Sequence, residues 1–84
     1  MNSRICQLLR YVISRPGESV RLESLADHMG MSVRMIRNYC ADAEKFFGSD
    51  YFCTLFVIDG SSIVFKGTHA QATELSTLIS NADF

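Results

Sequence analysis

An α+β fold, with three helices followed by a β-hairpin and a final helix, is predicted by three features of the sequence. Apolar residues recur at helical spacing in the first half of the chain, in segments separated by glycine and proline. Two β-rich runs then flank Asp59-Gly60, which is a strong hairpin signal. A last segment, residues 68–81, returns to helical spacing. Since the chain has 84 residues, of which 48% are hydrophobic, we expect one domain with a modest core.

The first helix is predicted over residues 3–14. One face of it is apolar at the spacing i, i+3, i+4, i+7 and i+8, namely Ile5, Leu8, Leu9, Val12 and Ile13. Pro16 and Gly17 end this helix because both residues resist its continuation. The short segment 19–21 could then add a minor strand to a sheet.

The second and third helices, predicted over residues 22–29 and 32–47, have the spacing of a DNA-binding helix-turn-helix. Ala26 is small where the two helices would cross, and Gly30 can adopt the left-handed backbone that ends the second helix. Ile36 would fill the space between the helices. Four further apolar residues would surround it: Leu25, Met29, Met31 and Tyr39.

The outer face of the third helix carries side chains that suit a DNA major groove. Arg34 and Arg37 lie three residues apart, and the planar arginine fork can form two parallel hydrogen bonds to guanine or to phosphate. Asn38 could read adenine in the same way, and Met35 could touch a thymine methyl group. A solvated charged surface without a ligand is the alternative interpretation.

Two residues next to these helices are candidates for contacts with the DNA backbone. Ser32 is placed to cap the third helix, and the amides around it could face a phosphate. Arg21 is a poor cap for the second helix but could reach a phosphate. The predicted DNA-binding residues are therefore Arg21, Ser32, Arg34, Met35, Arg37 and Asn38. Lys45 and Lys66 are weaker candidates for phosphate contacts.

The hairpin is predicted from strands at residues 52–58 and 62–66. Three helices followed by a hairpin is the order of a winged helix, in which the hairpin tip can touch DNA. Here the tip, residues 59–62, has one acidic residue and no lysine or arginine, which argues against a contact with phosphate. Several aromatic residues have core-like spacing, namely Phe46, Phe47, Tyr51, Phe52, Phe56 and Phe65.

The final helix would begin with Thr68 and Gln71 in the spacing of a capping box. Its apolar face needs a partner, either the first helix or a second copy of the chain, and consists of Leu75, Leu78, Ile79 and Ala82. We therefore divide the chain into a DNA-binding domain at residues 1–67 and a C-terminal segment at residues 68–84. That segment is either an amphipathic helix or the start of a following regulatory domain.

The net charge of −1 is unevenly distributed along the chain. Residues 1–41 carry six arginines and three acidic residues, a net +3, whereas residues 42–84 carry two lysines and six acidic residues, a net −4. A folded domain could thus be basic on one face, and the local potential governs DNA binding more than the total charge does.

Cysteine and histidine usage points away from catalysis and metal binding. Cys6, Cys40 and Cys53 are widely spaced, and each lies at an apolar position, so we expect reduced thiols that face the core in a cytoplasmic protein. His28 and His69 have no partners at ligand spacing and are expected at the surface. Since no catalytic set is present, we expect no enzyme, cofactor or metal. The longest apolar run, residues 55–58, is too short to span a membrane.

Residues 4–80 resemble the N-terminal DNA-binding domain of bacterial transcription regulators, the virulence activators of the Mga type and the sugar-operon activators of the BglG/MtlR type. The matching pieces are VRLESLADHMGMSVRMIRNYCADAEKFF, a hairpin, and IVFKGTHAQATELSTLI. Arg34 fits the basic residue that is common two positions after Ser32, whereas Asn38 stands where a second basic residue is common. The resemblance implies homodimers formed mainly by later domains and regulation through phosphorylated domains, so the chain looks like a truncated regulator or a small stand-alone relative.

We therefore expect a winged helix-turn-helix that binds double-stranded DNA sequence-specifically in bacterial transcription regulation, with the third helix in the major groove. The expected assembly is a homodimer, formed through the C-terminal helix or through missing domains. The alternative is a winged helix that contacts proteins and does not bind DNA. The acidic C-terminal half and the wing tip without cations favour that alternative.

Overall fold

A computed structural model describes residues 2–82 as an α+β fold of five helices and one three-stranded antiparallel sheet. The helices are α1 (Ser3–Ile13), α2 (Leu22–Met29), α3 (Val33–Phe47), α4 (Ser49–Leu55) and α5 (His69–Ala82). The strands are β1 (Val20–Arg21), β2 (Phe56–Asp59) and β3 (Ser62–Phe65), in the sheet order β1-β3-β2. All of these elements except α4 were predicted from the sequence.

Helix α1 forms the centre of the core. The Asn2 side chain caps its first turn by accepting a hydrogen bond from the Ile5 amide at 2.9 Å. Its apolar stripe is buried, as the helical spacing predicts, and comprises Ile5, Cys6, Leu8, Leu9, Val12 and Ile13. Helices α3 and α5 and strand β3 all pack against α1.

The turn between α2 and α3 has the geometry that the sequence predicts. Gly30 ends α2 in the left-handed region, with φ 66° and ψ 40°. The Ser32 hydroxyl caps α3 by accepting a hydrogen bond from the Met35 amide at 3.2 Å. Ala26 and Ile36 are buried where the two helices meet. The surrounding apolar residues are buried or half-buried, namely Leu25, Met29, Met31 and Tyr39.

Strand β3 lies at the centre of the sheet and joins the two halves of the chain. Val20 of β1 pairs with Ile63, so the minor strand predicted before α2 is confirmed. On the other side, β2 and β3 form a hairpin whose last pair is Asp59 with Ser62. Gly60 occupies the two-residue turn with φ 56°, a backbone conformation that glycine adopts readily.

The strand predicted from residue 52 is wrong at its start, because residues 49–55 form helix α4. Phe52 and Leu55 lie three residues apart and are both buried, as one face of a helical turn requires. A short apolar run fits a strand as well as a helix, and its spacing alone does not distinguish them. Cys53 consequently lies on α4 and is exposed, which corrects the prediction that it faces the core from a strand.

Helix α5 folds back on α1 within the same core. Thr68 and Gln71 form the predicted capping box, with hydrogen bonds of 2.8 and 3.1 Å between the backbone amide of each and the side chain of the other. Leu75 and Ile79 are fully buried. Leu78 was expected on the same face but is 40% exposed, because the buried positions Leu75, Ile79 and Ala82 follow the spacing i, i+4 and i+7, which leaves Leu78 to one side.

Candidate nucleic-acid interface

The solvent face of α3 presents one line of exposed side chains. Arg34, Asn38, Ala41 and Lys45 follow the spacing i, i+4, i+7 and i+11, and all four are exposed. The opposite face of α3 is held in the core by Ile36, Cys40 and Ala43. Because the buried face anchors the helix firmly, the exposed line has a fixed orientation relative to the rest of the fold.

Arg34 lies near the N-terminal end of this line. Its side chain is exposed and makes no hydrogen bond or ion pair with any of residues 2–82, so its donors are directed to solvent. Met35, the next residue, is 40% exposed and lies beside it on the helix surface. The Ser32 hydroxyl accepts the capping hydrogen bond from the amide of Met35, as predicted for the start of α3.

Arg37 lies on the flank of α3 rather than on the exposed line. Its guanidinium donates a hydrogen bond to the carbonyl oxygen of Gly60, at the tip of the hairpin. It also lines a small cavity of about 150 Å³ between α3 and β2, together with Leu22, Cys40, Ala41, Glu44 and Ile58. Burial raises the pKa of the Cys40 thiol to about 11, and the positive charge of Arg37 opposes this shift.

The hairpin tip and Arg21 lie at the same end of the fold as Arg37. Arg21 of β1 pairs with Ser62 of β3, and the Leu22 amide donates a 2.8 Å hydrogen bond to the Ser61 carbonyl. The Arg21 side chain forms an ion pair with Glu23 at 3.3 Å, but both side chains are about two-thirds exposed, at 67% and 69%. Such a pair is weak, so Arg21 can exchange Glu23 for a phosphate at little cost.

Other arginines of the basic half have structural contacts. Arg4 donates a 2.9 Å hydrogen bond to the Met29 carbonyl at the end of α2. The guanidinium of Arg15 lies 3.8 Å from the centre of the Tyr11 ring. Arg10 hydrogen bonds to the Ser80 hydroxyl on α5 at 3.4 Å. The basic residues near the exposed face of α3 are thus fewer than the sequence total indicates.

An exposed apolar groove lies between the end of α3 and the end of α5. It is lined by Phe46, Phe47, Leu78, Asn81 and Ala82. Phe46 is 53% exposed, so its core-like spacing is misleading. The Phe46 ring packs edge-on against Phe47, with ring centres 5.0 Å apart. The groove was not predicted from the sequence, because Phe46 has core-like spacing and Leu78 lies on the apolar face that was expected to pack on the first helix or on a second copy.

Other kinds of site are not evident in the part of the chain that the structure describes. Residues 2–82 contain no group of three or more histidine, cysteine or acidic side chains that could hold a metal ion. None of the helices in this range is both long and apolar enough to cross a membrane. Comparison with protein-family models, with curated protein sequences and with solved structures found no match to the chain.

Proposed function

We propose that the chain is a winged helix-turn-helix domain that binds double-stranded DNA sequence-specifically in bacterial transcription regulation, with α3 in the major groove. One observation carries the proposal. Helix α3 is fixed by its buried face across α2 and presents Arg34, Asn38 and Lys45 outward on one line. The major groove of B-DNA admits a helix, and the first turns of a recognition helix supply the contacts to bases. The resemblance of residues 4–80 to Mga-type and BglG-type regulators points to the same function.

The exposed residues divide into base contacts and phosphate contacts. Arg34 suits a guanine edge, Asn38 suits an adenine edge, and Met35 can touch a thymine methyl group. Lys45, at the far end of the line, and Arg21, beside the hairpin, suit phosphates. These contacts would place the N-terminal half of α3 deepest in the groove.

The experiment that tests this proposal is selection of bound fragments from a genomic DNA library, followed by binding measurements on the selected site. Arg34→Ala should weaken specific binding by about 1–3 kcal/mol and relax the preference at one or two base pairs. Lys66 was a weaker candidate for a phosphate contact, but it follows β3 at the hairpin end away from the tip and from Arg21, so Lys66→Ala removes an exposed cation outside the proposed interface and is the matched control. Equal losses for both variants, or no selected site, would contradict the proposal.

The proposed function also predicts a homodimer, because operators with two half-sites are bound by two-fold symmetric pairs. Phe46 and Leu78 provide exposed apolar surface away from the first turns of α3. Sedimentation equilibrium should detect a dimer that Phe46→Ser weakens. A monomer at all concentrations, with and without operator DNA, would contradict this part of the proposal.

The second candidate function is a winged helix that binds another protein and not DNA. The groove at Phe46 and Leu78 favours it, as does the hairpin tip, where Asp59 is the charged residue and no cation is present. The two candidates differ in which variant abolishes function. If the second candidate function is correct, Phe46→Ser should abolish binding to the protein partner, whereas Arg34→Ala should have no effect on it.

A further inference from the structure

We infer that Arg37 is a positioning residue that fixes the hairpin against α3, so that base reading is left to Arg34 and Asn38. This role of Arg37 rests on the proposed DNA-binding function. It differs from the sequence prediction, which placed Arg34 and Arg37 together as groove contacts. The two arginines lie three residues apart on one helix but have different surroundings in the fold.

Two consecutive carbonyl groups hold the hairpin turn against the helices. The Gly60 carbonyl accepts a hydrogen bond from the Arg37 guanidinium, and the Ser61 carbonyl accepts one from the Leu22 amide. The turn is therefore attached to α3 through a side chain and to the start of α2 through the backbone. Of these two contacts, the one from Arg37 can be removed by substituting a side chain.

The surroundings of Arg37 favour this contact over one with DNA. Arg37 shares its cavity with the acidic residue Glu44, and the turn that it bonds follows Asp59. Both carboxylates would repel an approaching phosphate and attract the guanidinium. Arg34, by contrast, is directed to solvent and has no acceptor among residues 2–82. A guanine edge would have to displace the Gly60 carbonyl to engage the same donor of Arg37.

The position of the hairpin depends on Arg37 because other contacts at its outer edge are few. Strand β2 is the edge strand of the sheet, and the side chains of Val57 and Ile58 are each 39% exposed. Without Arg37, the turn would be held by the amide of Leu22 and by the pairing of β3 with β1, and no side chain within residues 2–82 would attach it to α3 by a hydrogen bond. The hairpin tip would then be held less firmly against α3, and so would Arg21, the proposed phosphate contact, which pairs with Ser62.

Hydrogen exchange in the free protein tests this role without DNA. Arg37→Ala should speed the exchange of amides next to the turn roughly fivefold, as expected for loss of one hydrogen bond, while exchange in α1 stays unchanged. Arg34→Ala removes the same charge from the same helix and is the matched control, with exchange as in the wild type. Arg37→Lys keeps a donor and should restore most of the protection. Wild-type exchange in Arg37→Ala would overturn the inference.

Binding to a panel of single-base variants of the selected site then separates positioning from reading. Arg37→Ala should weaken binding to every sequence by about the same factor and leave the base preference unchanged, whereas Arg34→Ala should change the preference. A changed preference in Arg37→Ala would show that Arg37 reads a base, and would overturn the inference. Faster hairpin exchange in a protein that binds no DNA would refute the proposed function but leave the attachment of the hairpin by Arg37 intact.

Discussion

Adjacent residues of α3 have opposite environments, and this contrast fixes the orientation of the helix. Ile36 is fully buried between α2 and α3, whereas Met35 is 40% exposed. A rotation of one residue about the helix axis that moved Ile36 to the exposed position of Met35 would carry Arg37 into the junction. The burial of Ile36 therefore determines which residues of α3 face outward.

We expect Ile36→Asp to unfold the domain, because it places a carboxylate without a partner in the junction between α2 and α3. The cost of several kcal/mol is comparable to the whole stability of a small domain. Met35→Asp, at the neighbouring exposed position, should change stability by less than about 1 kcal/mol. Thermal unfolding followed by circular dichroism would measure both, and equal melting of the two variants would contradict this orientation of α3.

The thiol of Cys40 should make stability fall at high pH. Burial raises its pKa from 9.0 to about 11, so the thiol ionises first in the unfolded chain. The stabilisation is fully present below pH 9 and is lost as the pH rises toward and through 11, up to roughly 2–3 kcal/mol. Denaturant unfolding between pH 8 and 11 would measure this loss. Cys40→Ala should be less stable overall but should lack this component of the pH dependence.

Among the helices and strands, those with long regular spacing or a specific turn signal could be predicted from sequence. Helix α1 has five apolar residues on one face, and Gly30 and Ser32 determine the turn between α2 and α3. Helix α4 could not be predicted, because its seven residues contain too few turns to show a period. The same limit explains why Cys53 was assigned to a strand and to the core.

Helix α5 shows how two leucines on one helix can differ in their contribution to stability. Leu75 is fully buried against the core, whereas Leu78 is 40% exposed beside Phe46. We expect Leu75→Ala to lower the free energy of unfolding by about 2–5 kcal/mol and Leu78→Ala by less than about 1 kcal/mol. Denaturant unfolding would measure both losses. A low protein concentration keeps association of the chains from contributing to the measured stability. Similar losses would show that α5 packs in a different rotation.

At the scale of the whole molecule, the distribution of charge in space differs from its distribution along the chain. The sequence places all six arginines in the first half. The fold assigns Arg4 and Arg15 to structural contacts and attaches Arg37 to the hairpin. These contacts join residues that are distant in sequence, such as Arg37 and Gly60, and no local pattern encodes them. The exposure of the candidate residues on α3 was therefore predictable from helical spacing, whereas their contacts depend on the tertiary structure.

The salt dependence of DNA binding should reflect this small number of available cations. Arg21 and Lys45 are the exposed cations assigned to phosphates, so about two phosphates can be neutralised per protomer. A plot of log K against log salt should then have a slope of roughly −2 per protomer. Lys45→Ala should reduce that slope by about one, because a phosphate contact releases about one counterion, and should weaken binding to all sequences alike.

Lys66→Ala should leave the slope unchanged, since Lys66 lies at the other end of the hairpin from its tip. A much steeper slope that falls equally with both variants would mean that the whole surface attracts DNA without a defined orientation. In that case the fixed line of side chains on α3 would not be the interface.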